Sequence, residues 1–465
     1  MSTSTAPANA PLPQNLIDLA PDDDPLAGLD AAGAAIAIAA GDLLSADLVG
    51  ACLARIDRIE PAVQAWQHLD RDAALAQAQR CDEQRRAGGL LGPLHGVPVA
   101  LKDNIDTADL PTEDGTPLHH GRRPVDDATV VARLRAAGAV ILGKTVTTEF
   151  AYFAPGKTRN PHAPDHTPGG SSSGSAAAVA ARMVPLALGT QTNGSVIRPA
   201  AFCGVFGFKP SYGSISRHGV LRTSRRLDQV GVFTRSIADA ALLAQVLIGH
   251  DPADPDSVCG SAQQLAAVAG AAPPLDPVLG LLRSPLWAAA SADVATGFDE
   301  LSAELGAQLV TFDLGETAVT ANRLHATIMR AEMAWNLHGE YQRGKARMSA
   351  RLVEQIESGL AVGAVDYQHA LAGAERLAGD IAELFDSCDA LVLPAAPGSA
   401  PAGLGSTGDP VFCSLATLLG LPALSLPLMV DSAGLPLGVQ LLGRRGDDAR
   451  LLRTANWLVA RLAAG

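Results

Sequence analysis

Charged and aromatic residues are scarce in this chain of 465 residues, at 18% and 4% of the sequence. The charges are also unbalanced, with a formal net charge of −13, so nucleic acids and anionic membranes would repel the chain. We therefore expect neither of them as a partner. The apolar fraction of 48% is instead typical of a globular protein with a large core.

Several patterns that would indicate a cofactor, a metal or export are missing. No HExxH, no Cys/His cluster and no P-loop occurs, so we expect chemistry without a cofactor or a metal. The sequence does not open on a basic segment followed by an apolar one, and the apolar stretch from Ala31 to Gly41 is too short to span a bilayer. We expect a cytoplasmic protein whose scattered cysteines are free, buried thiols. The six are Cys52, Cys81, Cys203, Cys259, Cys388 and Cys413.

The order of helix and strand patterns predicts one large α/β domain behind a short tail. Residues 1–25 are rich in Ala, Pro, Ser and Thr, which is typical of a disordered or loosely draped segment. Over residues 26–465, helical and strand patterns alternate, which predicts a mixed, mostly parallel β-sheet flanked on both faces by helices. We expect an amphipathic helix with Ser45 as its N-cap and Pro61 as its end. The C-terminal strand patterns are expected to rejoin the N-terminal sheet.

Two Gly/Ser-rich loops between Pro168 and Pro210 are the most informative stretch. The first, GGSSSGS, contains Ser171, and the second, TNGS, ends in Ser195. Such loops expose backbone N–H groups and hydroxyls to a closely approaching substrate. A serine is a weak nucleophile until a base removes its proton, and no GxSxG turn surrounds either serine. The sharpest candidate for the base is Lys102, at the end of an apolar, strand-like run, where a dry environment would lower its pKa.

Lys102, the run GGSSSGSAAAVAA and the run TQTNGSVIRPAAFCG together resemble the amidase signature family, whose members hydrolyse amide-type bonds with a Ser-cisSer-Lys triad. Ser171 and Ser195 are 24 positions apart, as in the family pattern. The resemblance runs from about Ser45 to the C-terminus and is strongest between about residues 92 and 237. It implies that Ser195 is the nucleophile, that Ser171 follows a cis peptide bond and passes the proton on, and that Lys102 is the base. It also implies the amidase signature fold and, as is usual in the family, a homodimer.

The TNGS turn is expected to supply the oxyanion hole. The backbone N–H groups that can converge on a substrate's carbonyl oxygen are those of Thr192, Asn193, Gly194 and Ser195. Many family members read DTGGSIR here, whereas this chain has Gln191, Asn193 and an additional residue before Arg198. Asn193 is therefore expected to adopt the left-handed conformation usually given to glycine.

Substrate contacts are expected from two regions. Phe150, Tyr152 and Gly170, near the first serine loop, are candidates for the substrate pocket, although the two aromatics fit an ordinary core equally well. Residues of about 279–389 are expected to form the variable side of a substrate funnel. A stripe at helical spacing within that region would suit an apolar substrate group, but such a stripe is more often core. It consists of Met329, Met333 and Trp335.

Two functions remain open at this stage. The first is a free hydrolase of a small amide, anilide or carbamate, or of an ester, since all pass through the same oxyanion. The second is the glutaminase subunit of a tRNA-dependent amidotransferase, which would have to dock a partner. Gln191 and Asn193 in the second loop favour the free hydrolase. The sequence does not name the amide, because the side chains that shape the pocket come from distant segments.

Overall fold

The computed structural model describes residues 25–258 and 264–464, so residues 1–24 of the expected tail and Cys259 lie outside the described residues. Within them, eleven strands form one continuous sheet. The strands are β1 (Trp66–Leu69), β2 (Pro98–Lys102), β3 (Val140–Thr145), β4 (Leu186–Gln191), β5 (Phe206–Lys209), β6 (Gln229–Thr234), β7 (Leu279–Arg283), β8 (Leu309–Asp313), β9 (Ala390–Pro394), β10 (Ala423–Val430) and β11 (Pro436–Leu442).

Fifteen α-helices surround the sheet in the same part of the chain. They are α1 (Ala31–Ala40), α2 (Ser45–Val63), α3 (Arg71–Arg86), α4 (Thr129–Ala136), α5 (Ser173–Ala180), α6 (Ile197–Cys203), α7 (Ile237–Leu247), α8 (Leu265–Gly270), α9 (Ala292–Leu305), α10 (Glu316–Asn336), α11 (His338–Gly344), α12 (Ala350–Leu360), α13 (Ala364–Leu384), α14 (Ser414–Leu418) and α15 (Asp448–Ala464). Long helices cover most of the region expected to vary between relatives, from α9 to α13.

The strand order is β1-β3-β2-β4-β6-β5-β10-β11-β9-β7-β8, and the single α/β domain with a mixed sheet is confirmed. The C-terminal strands do rejoin the N-terminal sheet, because β10 pairs with β5. Parallel pairs are fewer than expected: among the described strands they are β2 with β3 and β4, and β7 with β8 and β9. The centre of the sheet is antiparallel, partly because a short turn joins β10 to β11 and two strands joined in this way must run in opposite directions.

Helices cover both faces of the sheet, as expected, and three hydrophobic clusters result. One cluster fills the whole of one face, and the opposite face is divided between an N-terminal and a C-terminal cluster. Along strand β2, successive side chains point to opposite faces of the sheet. Val99 and Leu101 therefore belong to the first cluster, and Ala100 belongs to the N-terminal one. Helix α6 lies between the two divided clusters: Val196 and Ala200 pack into one, and Ile197 packs into the other.

Both ends of helix α2 differ from the expected ones. Ser45 is its first residue rather than its N-cap, and the two N–H groups of Ser45 and Ala46 are accepted by the buried carboxylate of Asp82 at 2.8 and 3.1 Å. The helix also runs past Pro61 to Val63. Proline removes one backbone hydrogen bond, but Pro61 lies in the exposed last turn, where water can satisfy the unpaired carbonyl.

The five cysteines in the described residues are free thiols, and four of them are buried, as expected. Burial raises the pKa of Cys413 to about 12, so this thiol stays protonated near neutral pH. None of the helices in residues 25–258 and 264–464 is long and apolar enough to cross a bilayer.

The cap supplied by Asp82 is testable. Asp82→Ala leaves two N–H groups at the start of α2 without their buried acceptor, so we expect the free energy of unfolding to fall by about 1–3 kcal/mol. Urea-induced unfolding measures this change. The matched control is Asp47→Ala, a carboxylate in the first turn of the same helix that caps no N–H group, which should cost no more than about 1 kcal/mol. Equal losses from the two changes would contradict the assignment.

Candidate active site

Two parallel strands bring the first functional groups together. Strands β2 and β4 pair in register from Val99 with Leu186 to Leu101 with Leu188, so both strands end at the same edge of the sheet. Lys102 ends β2 and is fully buried, and Thr190 lies near the end of β4. The Nζ atom of Lys102 donates to Oγ1 of Thr190 at 2.8 Å and to its carbonyl oxygen at 3.4 Å.

The amine of Lys102 also meets the first Gly/Ser loop. Its Nζ lies 2.7 Å from Oγ of Ser171, and the peptide bond between Gly170 and Ser171 is cis. The next hydroxyl, that of Ser172, fixes the loop to β4 by accepting from the backbone N–H of Thr190 and donating to its carbonyl, both at 3.2 Å. A Cβ on Gly189 would lie 2.6 Å from Oγ of Ser172, so β4 needs a glycine here for the loop to approach.

Burial sets the protonation of Lys102. Removing an ammonium from water lowers its pKa well below the ordinary 10.5, and the carboxylates of Asp228 and Asp114 oppose this shift only in part. The neighbours that touch Nζ are hydroxyl and carbonyl oxygens rather than carboxylates. A neutral amine is therefore accessible much closer to neutral pH than in a lysine exposed to solvent.

Gln191 organises the start of the second Gly/Ser loop. Its Oε1 atom accepts the backbone N–H groups of Val196 and Ile197 at 2.8 and 3.1 Å, where α6 begins. Its Nε2 atom donates to Oγ1 of Thr417 at 2.9 Å, and that hydroxyl donates to the carbonyl of Asn193 at 2.6 Å. A carboxylate at position 191 cannot donate, so it would take the Thr417 proton away from Asn193. The amide of Gln191 therefore leaves the hydroxyl proton of Thr417 available for the carbonyl of Asn193.

The expectation about Asn193 is wrong. Its φ angle is not positive, whereas five other non-glycine residues among those described do have positive φ. Asn193 is held instead through its side chain and carbonyl: Oδ1 accepts from Oγ of Ser414 at 2.9 Å, and the carbonyl accepts from Thr417. These contacts with α14 make a glycine-like backbone unnecessary.

The loop leaves a set of backbone donors free. The carbonyl of Thr192 accepts from Nε2 of His325 at 2.8 Å, so the carbonyls of Thr192 and Asn193 are both engaged from outside the loop. In the described part of the chain, no acceptor is found for the backbone N–H groups of Asn193, Gly194 and Ser195. These N–H groups can therefore serve an oxygen atom of a bound substrate.

Ser171 and Ser195 line one pocket, together with the other three residues expected in the oxyanion hole: Thr192, Asn193 and Gly194. The apolar wall is formed by Tyr152, Phe153, Met329 and Met333. The methionines project from α10, so this helix of the expected funnel does reach the pocket.

Three expected substrate contacts do not line this pocket. Phe150 is fully buried and packs edge-on against His119, because positive φ at Phe150 and Ala151 turns the chain so that the following residues face the pocket. Gly170 lies behind the pocket lining, where its carbonyl accepts a hydrogen bond from Nη2 of Arg198 at 2.8 Å. Trp335 is 82% exposed, because it lies on the solvent side of α10.

Arg198 is a buried cation at the pocket wall. Its Nε atom donates to the carbonyl of Thr407 at 2.6 Å and its Nη2 atom donates to the carbonyl of Gly170. Its Nη1 atom is buried and has no hydrogen-bond partner in the described part of the chain. Burial lowers the pKa of the guanidinium to about 10, so it stays charged near neutral pH. The pocket wall thus carries a buried positive charge.

Two residues that hold the second Gly/Ser loop in place were not identified from the sequence. Asp228 is a buried carboxylate that accepts from the hydroxyls of Thr192 and Thr223 at 2.6 and 2.8 Å, and burial raises its pKa. Nothing in its local sequence marks it. His325 does have a signal, since it precedes Met329 and Met333 at intervals of four residues and so shares their helix face.

A group of three side chains near the site has donors spaced as for a metal. These are His68, Asp103 and Glu113, whose donor atoms lie within 4.8 Å of one another. The ammonium of buried Lys144 lies 3.5 Å from Oδ1 of Asp103, and His68 lies 3.2 Å from Glu113. The carboxylates therefore have basic neighbours, but Oδ1 of Asp103 and Nε2 of His68 are buried without a hydrogen-bond partner in the described residues.

Comparison with known proteins gives a consistent picture over nearly the whole chain. The family model described as Amidase matches residues 47–452. A glutamyl-tRNA(Gln) amidotransferase subunit of Chloroflexus aurantiacus is 38% identical, over 92% of this chain and 95% of the relative. The solved peptide amidase from Stenotrophomonas maltophilia is 32% identical with a TM-score of 0.80, covering 94% of this chain and 98% of that one. The structure of 6-aminohexanoate cyclic dimer hydrolase with substrate is 25% identical with a TM-score of 0.83, covering 94% and 97%.

The contact chain through Thr417 is testable by stability. Thr417→Val leaves Nε2 of Gln191 and the carbonyl of Asn193 unpaired in the interior, so we expect the free energy of unfolding to fall by about 1–3 kcal/mol. Thr417→Ser keeps the hydroxyl and should lose less than half as much. Denaturant unfolding of the two variants is the measurement, and a loss from Thr417→Ser as large as that from Thr417→Val would contradict the assignment, because the serine keeps the hydroxyl.

Proposed function

The chain belongs to the amidase family, and we propose that it hydrolyses amide bonds of small molecules through an acyl-enzyme on Ser195. The contact between Nζ of Lys102 and Oγ of Ser171, at 2.7 Å between two buried residues, carries this proposal. A lysine whose pKa is lowered by burial can accept a proton near neutral pH. Ser171 and Ser195 line the same pocket, and we therefore assign the connection between the nucleophile and the amine to the hydroxyl of Ser171.

The attacking serine loses its proton through this connection. Oγ of Ser195 attacks the carbonyl carbon and gives its proton to Oγ of Ser171, which passes its own proton to the neutral amine of Lys102. When the carbon–nitrogen bond breaks, the ammonium returns a proton through Ser171 to the leaving amine. Water then attacks the acyl-serine ester with the same relay as its base, and the carboxylic acid leaves with Ser195 restored.

The charge that develops on the carbonyl oxygen needs donors that are already in place. The N–H groups of Asn193, Gly194 and Ser195 meet this need, because the described chain offers them no other acceptor. Thr192 lines the same pocket, and we include its N–H in the same proposed oxyanion hole. Fixed donors of this kind lower the barrier without a reorganisation of water during the reaction.

The pocket favours a small substrate with an apolar acyl group. Tyr152, Phe153, Met329 and Met333 provide aromatic and thioether surface, and methionine side chains adapt to groups of different shape. An amide, an anilide or a carbamate fits this chemistry, and an ester passes through the same tetrahedral intermediate. We propose a free hydrolase of such compounds, and Gln191 and Asn193, which depart from the commoner family loop, support this choice.

A second candidate is the glutaminase component of a tRNA-dependent amidotransferase. The similarity to glutamyl-tRNA(Gln) amidotransferase subunits supports it, beginning with the 38% identical relative from Chloroflexus aurantiacus. Arg198 supports it as well, because the carboxylate of glutamine would be attracted to this positive charge at the pocket wall. A component of that kind would act on glutamine and pass ammonia to a partner.

A panel of substrates separates the two candidates. The purified chain is offered a primary aliphatic amide, an anilide, a nitrophenyl ester, an aryl carbamate and glutamine, without ATP or tRNA. We expect turnover of the apolar amides and little or none of glutamine. Hydrolysis of glutamine alone would favour the amidotransferase, and silence across the panel would contradict a free hydrolase.

Two serine variants accompany the panel. Ser195→Ala should lower kcat by at least about 1,000-fold while the protein stays folded. Ser173→Ala is the matched control, since this serine lies in the first Gly/Ser loop but its hydroxyl bonds to the carbonyl of Val146 at 3.3 Å. Equal losses in the two variants would mean that Ser195 is not the nucleophile.

The pH dependence tests the base. Activity should increase with pH as Lys102 loses its proton and should level off below the ordinary lysine value of 10.5, because burial lowers its pKa. Lys102→Met, which keeps the apolar stem but has no amine, should lose about 100- to 10,000-fold in kcat/KM. Profiles of kcat/KM across the range from acid to alkaline pH give the answer. A profile that is flat over this range would contradict a titrating lysine.

A further inference from the structure

His325 ties the nucleophile loop to the helix that lines the pocket. It lies on α10 and is 1% exposed, and its Nε2 atom lies 2.8 Å from the carbonyl oxygen of Thr192. Met329 and Met333 follow on the same face of the helix and line the pocket. One helix face therefore meets both the substrate pocket and the backbone of the second Gly/Ser loop.

The chemistry of this contact determines which atom carries the proton. A carbonyl oxygen only accepts hydrogen bonds, so Nε2 of His325 must be the donor. Burial lowers the pKa of the imidazole to about 4, so the ring is neutral near neutral pH and has a single N–H. That N–H is used on the carbonyl of Thr192.

The contact also fixes a neighbouring N–H. In the described residues, the one cis peptide bond is Gly170–Ser171, so the bond between Thr192 and Asn193 is trans. The C=O and N–H of a trans peptide point in opposite directions. Holding the carbonyl of Thr192 on α10 therefore directs the N–H of Asn193 away from that helix, and no acceptor in the described chain takes it up.

We propose that His325 is a positioning residue that sets the direction of the Asn193 N–H for the oxyanion formed at Ser195. The inference rests on the proposed function and deepens it. Through His325, the helix that shapes the acyl pocket also determines how well the transition state is stabilised. A change in this contact should alter the rate of bond breaking much more than the binding of the substrate.

The test measures the reactivity of Ser195 without depending on the choice of substrate. A fluorophosphonate reacts when a serine oxygen attacks phosphorus and fluoride leaves, and the oxygen on phosphorus takes the place of the oxyanion. We expect His325→Leu to lower the labelling rate by roughly 10- to 100-fold, less than the loss of a whole oxyanion donor. On a substrate from the panel, kcat should fall to a similar extent with KM little changed.

Conservative and neighbouring variants isolate the hydrogen bond. His325→Gln places an amide N–H at a similar reach and should label within a few-fold of the wild type. Ile328→Val changes the buried core on the same helix and should leave labelling unchanged. If His325→Leu does not fold, His325→Met supplies a longer side chain that also lacks a donor. All rates are taken per folded protein, as measured by circular dichroism, because a purely structural role would change only the folded fraction.

The outcomes separate this inference from the proposed function. If wild-type protein is labelled and Ser195→Ala is not, the nucleophile stands. Labelling of His325→Leu at the wild-type rate would then overturn the role of His325 alone. A folded His325→Gln as slow as His325→Leu would also overturn it, because the restored donor would have had no effect. A wild-type protein that resists the probe would contradict both proposals.

Discussion

A lysine amine held away from water is the constraint on which the rest of the site depends. An ammonium at the position of Lys102 lacks hydration, and its nearest partners are the oxygens of Thr190 and the hydroxyl of Ser171. Those partners are present because β2 and β4 are parallel neighbours that end together. The first Gly/Ser loop can press against β4 only because Gly189 leaves room for Ser172. Sheet topology, loop composition and the lowered pKa of Lys102 are thus linked.

The nucleophile loop depends on the C-terminal part of the chain in the same way. Gln191 and Thr417 form a chain of donors that ends on the carbonyl of Asn193, and His325 holds the preceding carbonyl. The loop lies at the start of α6, between the two hydrophobic clusters that divide one face of the sheet. Its shape is therefore determined by contacts from both halves of the molecule.

The sequence alone predicts those parts of the site that are marked by a motif or by the spacing between motifs. The α/β class could be read from the alternation of helix and strand patterns, and the combination of Lys102 with two Gly/Ser loops from its motifs and their spacing. The contacts that His325 and Thr417 make with the loop could not be, since each residue comes from a distant part of the chain. Of the two aromatic candidates, Tyr152 lines the pocket and Phe150 takes the alternative core position, because positive φ angles at Phe150 and Ala151 turn the chain between them. The antiparallel centre of the sheet likewise depends on strands that meet only in the fold.

The pairing of β5 with β10 has a consequence for biosynthesis. A ribosome releases the N-terminal half first, and that half already contains both serines and the lysine. The strand beside β5 and the hydroxyl that holds Asn193 emerge only near the end of translation. A nascent chain therefore holds every reactive group of the proposed relay long before it holds the framework that aligns them. Incomplete chains are thus expected to be inactive, with hydrolysis beginning only once synthesis is complete.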